Sequence, residues 1–202
     1  MPKIVDHDKQ REWVAEAALR VIQKGGLEKA TVRNIAEEAG LSVGSMRHYF
    51  SSQAELLAFC MNLIIERIEK RLTSLSLKGP VFSDMKLVLM QFLPMDEDRT
   101  MEMEVWMSFV AKALIYPELR KINDEMYDGL TKACHFVIDS LVTHKLAKPE
   151  LDLEYEKERI YALVDGLAIH HIMRPQQLTQ DKIEKIIDQH LQSLCIDELI
   201  MP

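Results

Sequence analysis

Residues 31–57 read TVRNIAEEAGLSVGSMRHYFSSQAELL, and the fold of the chain is decided there. Thr31 is a good N-cap, because its hydroxyl can accept from an amide left open at a helix start. Val32, Ile35, Ala36 and Ala39 then recur at helical spacing and predict a short helix that stops at Gly40. A glycine there can take the left-handed conformation that other residues avoid. Ser42 is again an N-cap and opens a second short helix, to about Tyr49. Two short helices across a Gly-Leu-Ser turn make a helix-turn-helix. After Phe50, Ser51 and Ser52 cap a long helix reaching about Ser74, with a core stripe of Leu56, Leu57, Cys60, Leu63, Ile64 and Ile68.

Working outward, a first helix is expected from about Asp8 to Lys24. Its apolar face is Trp13, Val14, Ala17, Ala18, Val21 and Ile22, and Gly25-Gly26 end it. Lys78-Gly79-Pro80 is a break, and further helices are expected near 83–93, 99–115, 117–146, 153–173 and 179–195. Pro117 fits the first turn of its helix, and Pro175 follows the end of its predecessor. Glycine and proline, at 7 each in 202 residues, are scarce, so the fold class is all-α, with about nine helices. The expected division is a helix-turn-helix domain over 1–52 and a larger helical domain over 53–202.

Hydrophobic residues make up 48% of the chain, which suits a packed core. No segment approaches ~18 uninterrupted apolar residues, so no membrane span is expected. The first residues, MPKIVDHDKQREW, lack a signal-peptide core, and the expected location is cytoplasmic. Cys60, Cys134 and Cys195 are far apart and odd in number; they read as buried free thiols, with a redox sensor as the alternative. The net charge of −7 argues at first against a nucleic-acid partner. Yet residues 1–58 carry eight Lys/Arg and eight Asp/Glu, so the whole excess of acid lies downstream. A neutral domain can still present a basic face.

In a helix-turn-helix the second helix lies in the major groove and its N-terminal residues reach base edges. The candidate DNA-contacting residues are therefore Ser42, Val43, Ser45, Arg47, His48 and Tyr49, with Arg33 on the first helix. Gly44 lets the backbone approach the DNA closely, and Arg47 can clamp a phosphate or pair with guanine. Thr31 and Ser52 stand at helix starts, where hydroxyls and open amides bind phosphate oxygens. A helix pair around a glycine turn can also be a simple packing unit. Met46, which also falls on the second helix, Tyr49 and Phe50 can equally be core residues.

The run Ala39–Leu57, A-G-L-S-x-G-S-M-x-H-Y-F-x-S-x-x-E-L-L, resembles the signature of TetR-family repressors. Residues 104–130 and 161–191 resemble the C-terminal domain of a subgroup related to the choline-responsive repressors, without carrying choline over as the ligand. The resemblance implies a repressor that binds a palindromic operator in double-stranded DNA as a homodimer and is released by a small-molecule inducer. Two departures stand out: Arg47 replaces a usual aromatic residue, and Gln53 replaces a usual lysine. Both family residues contact phosphate.

The resemblance places a ligand pocket in the larger domain. Its candidates are Met61, Ile64, Met90, Met103, Trp106, Met107, Val110, Met126, Tyr127, Leu130 and Cys134. Twelve methionines suit an adaptable apolar cavity, although a Met and aromatic stripe is also ordinary core. A Trp near Glu102 and Glu104 is too little to claim a cation site. The last two helices are expected to form a dimer bundle through Leu163, Leu167, Ile172, Ile183, Ile187, His190, Leu191 and Leu194; a monomer core has the same spacing. His170-His171 is no metal motif, since adjacent helical residues diverge by about 100°. With no phosphate loop, nucleophile elbow or metal-ligand cluster, no enzyme and no cofactor or metal are expected. Alternatives are a small-molecule-binding protein with a weakened head, or an activator.

Overall fold

The computed structural model describes residues 7–196. Its helices are α1 (His7–Gly25), α2 (Val32–Ala39), α3 (Val43–Met46), α4 (Gln53–Ser74), α5 (Val81–Leu89), α6 (Glu97–Ala113), α7 (Arg120–Thr143), α8 (Leu153–Met173) and α9 (Gln180–Leu194). Among the described residues the extended pairing is one isolated antiparallel bridge, Ala147 with Cys195. The all-α expectation holds.

Three boundaries differ from expectation. The second short helix stops at Met46 instead of Tyr49, and Arg47–Tyr49 continue as tight turns, His48 N–H bonding to Ser45 and Tyr49 N–H to Met46. The segment near 83–93 is α5 followed by a 3₁₀ turn, Met90–Phe92. Leu93 is extended because Pro94 follows it, and proline disfavours a helical predecessor. Pro117 begins a separate 3₁₀ turn, Pro117–Leu119, before α7.

The chain divides into two compact units. The first comprises Met1–Arg67 and Glu104–Asp124. Its buried residues include Val14, Ala18 and Ile22 of α1, Ile35 and Ala36 of α2, Met46, and Leu56, Cys60 and Ile64 of α4. Each large aliphatic side chain so buried contributes about 1.5–3 kcal/mol. Trp13, expected on the core face of α1, is instead 51% exposed. It lies at the edge, where its indole N–H donates to the Ala39 carbonyl at 3.0 Å and the Arg20 guanidinium covers its ring.

The second unit comprises Ile68–Met103 and Glu125–Pro202. Its core joins Leu89 of α5, Val137, Ile138 and Leu141 of α7, Ile160 and Val164 of α8, and Ile183, Ile187 and Leu191 of α9. Lys86 of α5 pairs with Glu184 and Asp188 of α9, both at 2.8 Å. Arg71 and the buried Glu102 form a two-pronged ion pair at 3.0 and 2.8 Å.

Candidate DNA interface and ligand region

The helix-turn-helix is fixed by its caps. Thr31 Oγ1 accepts from Asn34 N–H at 3.2 Å, and Ser42 Oγ accepts from Ser45 N–H at 3.0 Å. Gly40 ends α2 at φ 68°, with its N–H bonded to Ala36 and Glu37 carbonyls and Leu41 N–H reaching back to Ala36. That pair of bonds satisfies the last carbonyls of the helix, and the positive φ favours glycine.

Burial sorts the residues of the motif into two faces. Ile35, Ala36, Ala39, Met46 and Phe50 are buried. Thr31, Arg33, Ser42, Val43, Gly44, Arg47, His48 and Ser52 are exposed, and Ser45 and Tyr49 half-buried. Of the three residues left open between core and DNA, Met46 and Phe50 fall to the core, while Tyr49 is half-buried. A Cβ on Gly44 would meet only Ser42 Oγ, at 3.7 Å, so internal packing leaves room for a side chain there. The glycine bares backbone toward whatever approaches α3 from outside.

Several carboxylates of this unit are engaged by cations or caps. Glu38 accepts from Arg20 at 2.9 Å and Lys24 at 3.0 Å, and these bonds hold its carboxyl below the usual range. Glu16 pairs with Arg67, and Glu28 with Lys112 at 3.1 Å. Glu55 caps Ser51 through both its backbone N–H and its hydroxyl at 2.8 Å, and these bonds lower its pKa. Its other oxygen takes Arg11, whose guanidinium lies 4.7 Å from the Phe50 ring centre and 4.9 Å from that of Phe59. Among the described residues neither Arg33 nor Arg47 has an ion-pair partner. A neutral domain thus leaves two exposed guanidinium groups open within the helix-turn-helix. A cleft of about 370 Å³ opens between Ala30 and Val32 on one side and Arg47, Ser51, Ser52 and Gln53 on the other. Buried Met46, Phe50 and Leu56 close its floor.

The candidate ligand residues fall into both units. Met61 and Ile64 are buried, and Trp106, Met107 and Val110 half-buried, in the first. In the second, Met90, Leu130 and Cys134 are buried and Met103, Met126 and Tyr127 half-buried. Tyr127 stacks on Tyr161, ring centres 6.1 Å apart. Beside this stack lies Asp165, one helical turn from Tyr161, and burial pushes its carboxyl up to about 6. Tyr161 and Asp165 were missed from sequence; the i, i+4 pair of an aromatic and an acid inside an apolar helix was the available signal. Glu102 is engaged by Arg71.

Of the residues expected to meet a second copy, Leu167, Ile183, Ile187, Leu191 and Leu194 are buried in the chain's own core. Leu163, Ile172 and His190 are half-buried. The outer side of α8 carries exposed Tyr155, Ala162, Gly166, Ile169 and Met173. His171 is buried with Nδ1 at 2.7 Å from the Leu178 carbonyl, while His170 is exposed. Among the described residues no group of three or more His, Cys, Asp or Glu could hold a metal ion. The three cysteines are buried free thiols, and burial pushes Cys60 and Cys134 up to about 12, far from a reactive thiolate. Among the described residues no helix is long and apolar enough to cross a membrane.

Residues 14–59 match the family of bacterial regulatory proteins, tetR family, and residues 83–196 match the BetI-type transcriptional repressor C-terminal domain. The chain is 41% identical to the HTH-type transcriptional regulator PksA of Bacillus subtilis (strain 168), over 98% of this chain and 96% of that one. It is 25% identical to the HTH-type transcriptional regulator BetI of Serratia proteamaculans (strain 568), over 89% of each. A crystal structure of a transcriptional regulator from Rhodococcus sp. Rha1 superposes with a TM-score of 0.79 at 28% identity, covering 91% of this chain and 95% of that one. A regulator from Saccharomonospora viridis, solved in complex with choline, shares the fold with a TM-score of 0.80 at 19% identity, covering 92% and 96%. These relatives are regulators and not enzymes. A cap-fixed helix-turn-helix with its polar face outward, continued by this C-terminal domain, makes the chain a member of the TetR family, a helix-turn-helix transcriptional regulator of the BetI type.

Proposed function

We propose that the protein is a cytoplasmic repressor that grips a palindromic operator in double-stranded DNA as a homodimer and releases it when a small molecule binds. The observation that carries the DNA half is the division of α3 and its following turn. Met46 and Phe50 anchor inward while Ser42, Val43, Gly44, Arg47 and His48 stand outside. Ser42, Val43 and Ser45 are assigned to the groove, with Arg47 and His48 reading from the turn. Thr31, Arg33, Tyr49 and Ser52 are assigned to the backbone. The reading domain extends over 1–52 and the effector and dimer domain over 53–202.

Dimerisation is assigned to the outer side of α8. Gly166 has open space where a Cβ would stand, so its smallness serves a close neighbour from outside the chain. Ile169 and Met173 continue the face, and half-buried Leu163, Ile172 and His190 complete it. Two heads must then meet successive major grooves roughly 34–36 Å apart, or a multiple of that. The effector residues of the second unit are Met126, Tyr127, Leu130 and Cys134, a lining suited to a small, largely apolar molecule. Such a ligand must bind the released state better than the DNA-bound one, since equal affinity shifts nothing.

Selection of duplexes from a random pool tests the reading. Enrichment of two inverted half-sites is expected, and Arg47→Ala should weaken binding to them by at least ~1 kcal/mol in a gel-shift series. An enriched site without two-fold symmetry rules out the homodimer, and an unchanged affinity removes Arg47 from the contacts.

A further inference from the structure

Gln53, the first residue of α4, stands exposed on the rim of the cleft beside α3. Its amide nitrogen does not point outward. It donates to the carbonyl of Ala30 at 2.9 Å, across 23 residues of chain. The preceding carbonyl, that of Lys29, is taken by the amide of Asn34, also at 2.9 Å. Two successive carbonyls at the approach to α2 are thus held by side-chain amides, one from α2 itself and one from α4. The bond joins the opposite walls of the cleft. Thr31 caps α2 on one side of it, and Ser52 caps α4 on the other.

We propose that Gln53 is a positioning residue for DNA binding, fixing the span between the helix starts at Thr31 and Ser52 without itself touching DNA. The proposal rests on the DNA-interface reading above. A helix start attracts phosphate through its open amides and dipole, but two such starts grip one backbone only at a set separation. A single 3₁₀ turn, Leu27–Lys29, leads into Thr31 from the N-terminal side, so its distance from α4 is left to a bond such as this one. One bond from a long helix removes the freedom before DNA arrives, so less is lost on binding. A fixed span also favours duplexes whose groove width matches it, which is selectivity without a base contact.

The test uses the full-length chain and Gln53→Met, which keeps length and volume but has no donor. Hydrogen exchange is measured without DNA, and affinity is measured on the selected duplex at several salt concentrations. Affinity is also measured on duplexes altered only at uncontacted central steps. Gln53→Met is expected to speed exchange several-fold at the amides of residues 31–35, leaving α1 unchanged. Affinity should fall about threefold to tenfold at every salt, with the same salt slope because no charge is lost. Discrimination among the central-step duplexes should narrow. Faster exchange throughout α1–α4 would reduce Gln53 to general support. Weaker binding with unchanged exchange would mean that Gln53 touches DNA itself. No change in either makes the bond idle. Each of these overturns the proposal alone, whereas a wild-type chain that enriches no duplex overturns the interface reading and the proposal with it.

Discussion

Glu38 and Glu55 of the first unit and Asp165 of the second are carboxylates treated in opposite ways by the fold. In the first, Glu38 and Glu55 are held by cations, a hydroxyl and a backbone amide, so ionisation is favoured by the fold. Around α8 in the second, Asp165 is shielded from water and its carboxyl rises to about 6. Nearby on the same helix, buried Glu156 pairs with Arg159 through one oxygen and leaves the other without a partner. His190 of α9 is pushed below its ordinary value, chiefly by burial, and its Nε2 is likewise unpartnered. The reading unit ties Glu38 and Glu55 to cations and caps and leaves Arg33 and Arg47 open. Along α8 and α9 the second unit stores polar groups inside at a cost, and such a cost is usually kept where a partner or ligand will be met.

The contrast can be broken first at the anchor of the reading unit. Met46 is 1% exposed and is the buried residue of α3, so Met46→Ala should cost about 2–5 kcal/mol of stability and remove DNA binding. Urea titration followed by a gel shift checks both; a stable variant that still binds would show that α3 is held by its caps alone. A smaller effect belongs to Asp165. Its folded pKa lies above the ordinary value of 3.8, so the native state holds the proton more tightly than the unfolded chain. Stability therefore falls as pH rises from about 4 to about 6, by on the order of 1–2 kcal/mol once partial solvent screening is allowed for. Asp165→Asn should flatten that limb and stabilise the protein at pH 7, as read by urea midpoints at the two ends of the window. The smallest change is expected from Glu38, whose lowered pKa has the opposite sign. Its contribution is present above its ordinary value of 4.5 and is lost as pH falls through the folded pKa. Glu38→Gln should shallow the acid limb slightly and leave the region above pH 6 untouched; an effect there would place Glu38 in a different role.

Most of the reading unit was legible because its signals are local. Thr31, Gly40 and Ser42 each act within four residues, and their caps appear where the sequence put them. The end of α3 was less legible. Nothing in Arg47-His48-Tyr49 forbids a helix, yet the chain tightens there into turns that lead to the buried Phe50. Helical spacing in α8 and α9 was correctly read as apolar faces, but spacing does not say which body covers them. Ile183, Ile187 and Leu191 are covered by the chain's own helices, while Ile169 and Met173 are not. The Tyr127–Tyr161 stack and the Gln53–Ala30 bond join residues far apart in sequence, and no periodicity reports a contact of that kind.

The brevity of α3 has a consequence for how such a regulator changes targets. Four residues form the helix, and one of them, Met46, is buried. The exposed positions 43, 44, 47 and 48 can be exchanged with little penalty to the core beneath them, while Ser42 keeps the cap. Target preference is then a nearly detachable cassette on a buried seat. Copies of one ancestral gene can drift to new operators by a few surface substitutions each, without first acquiring stability to spend on them.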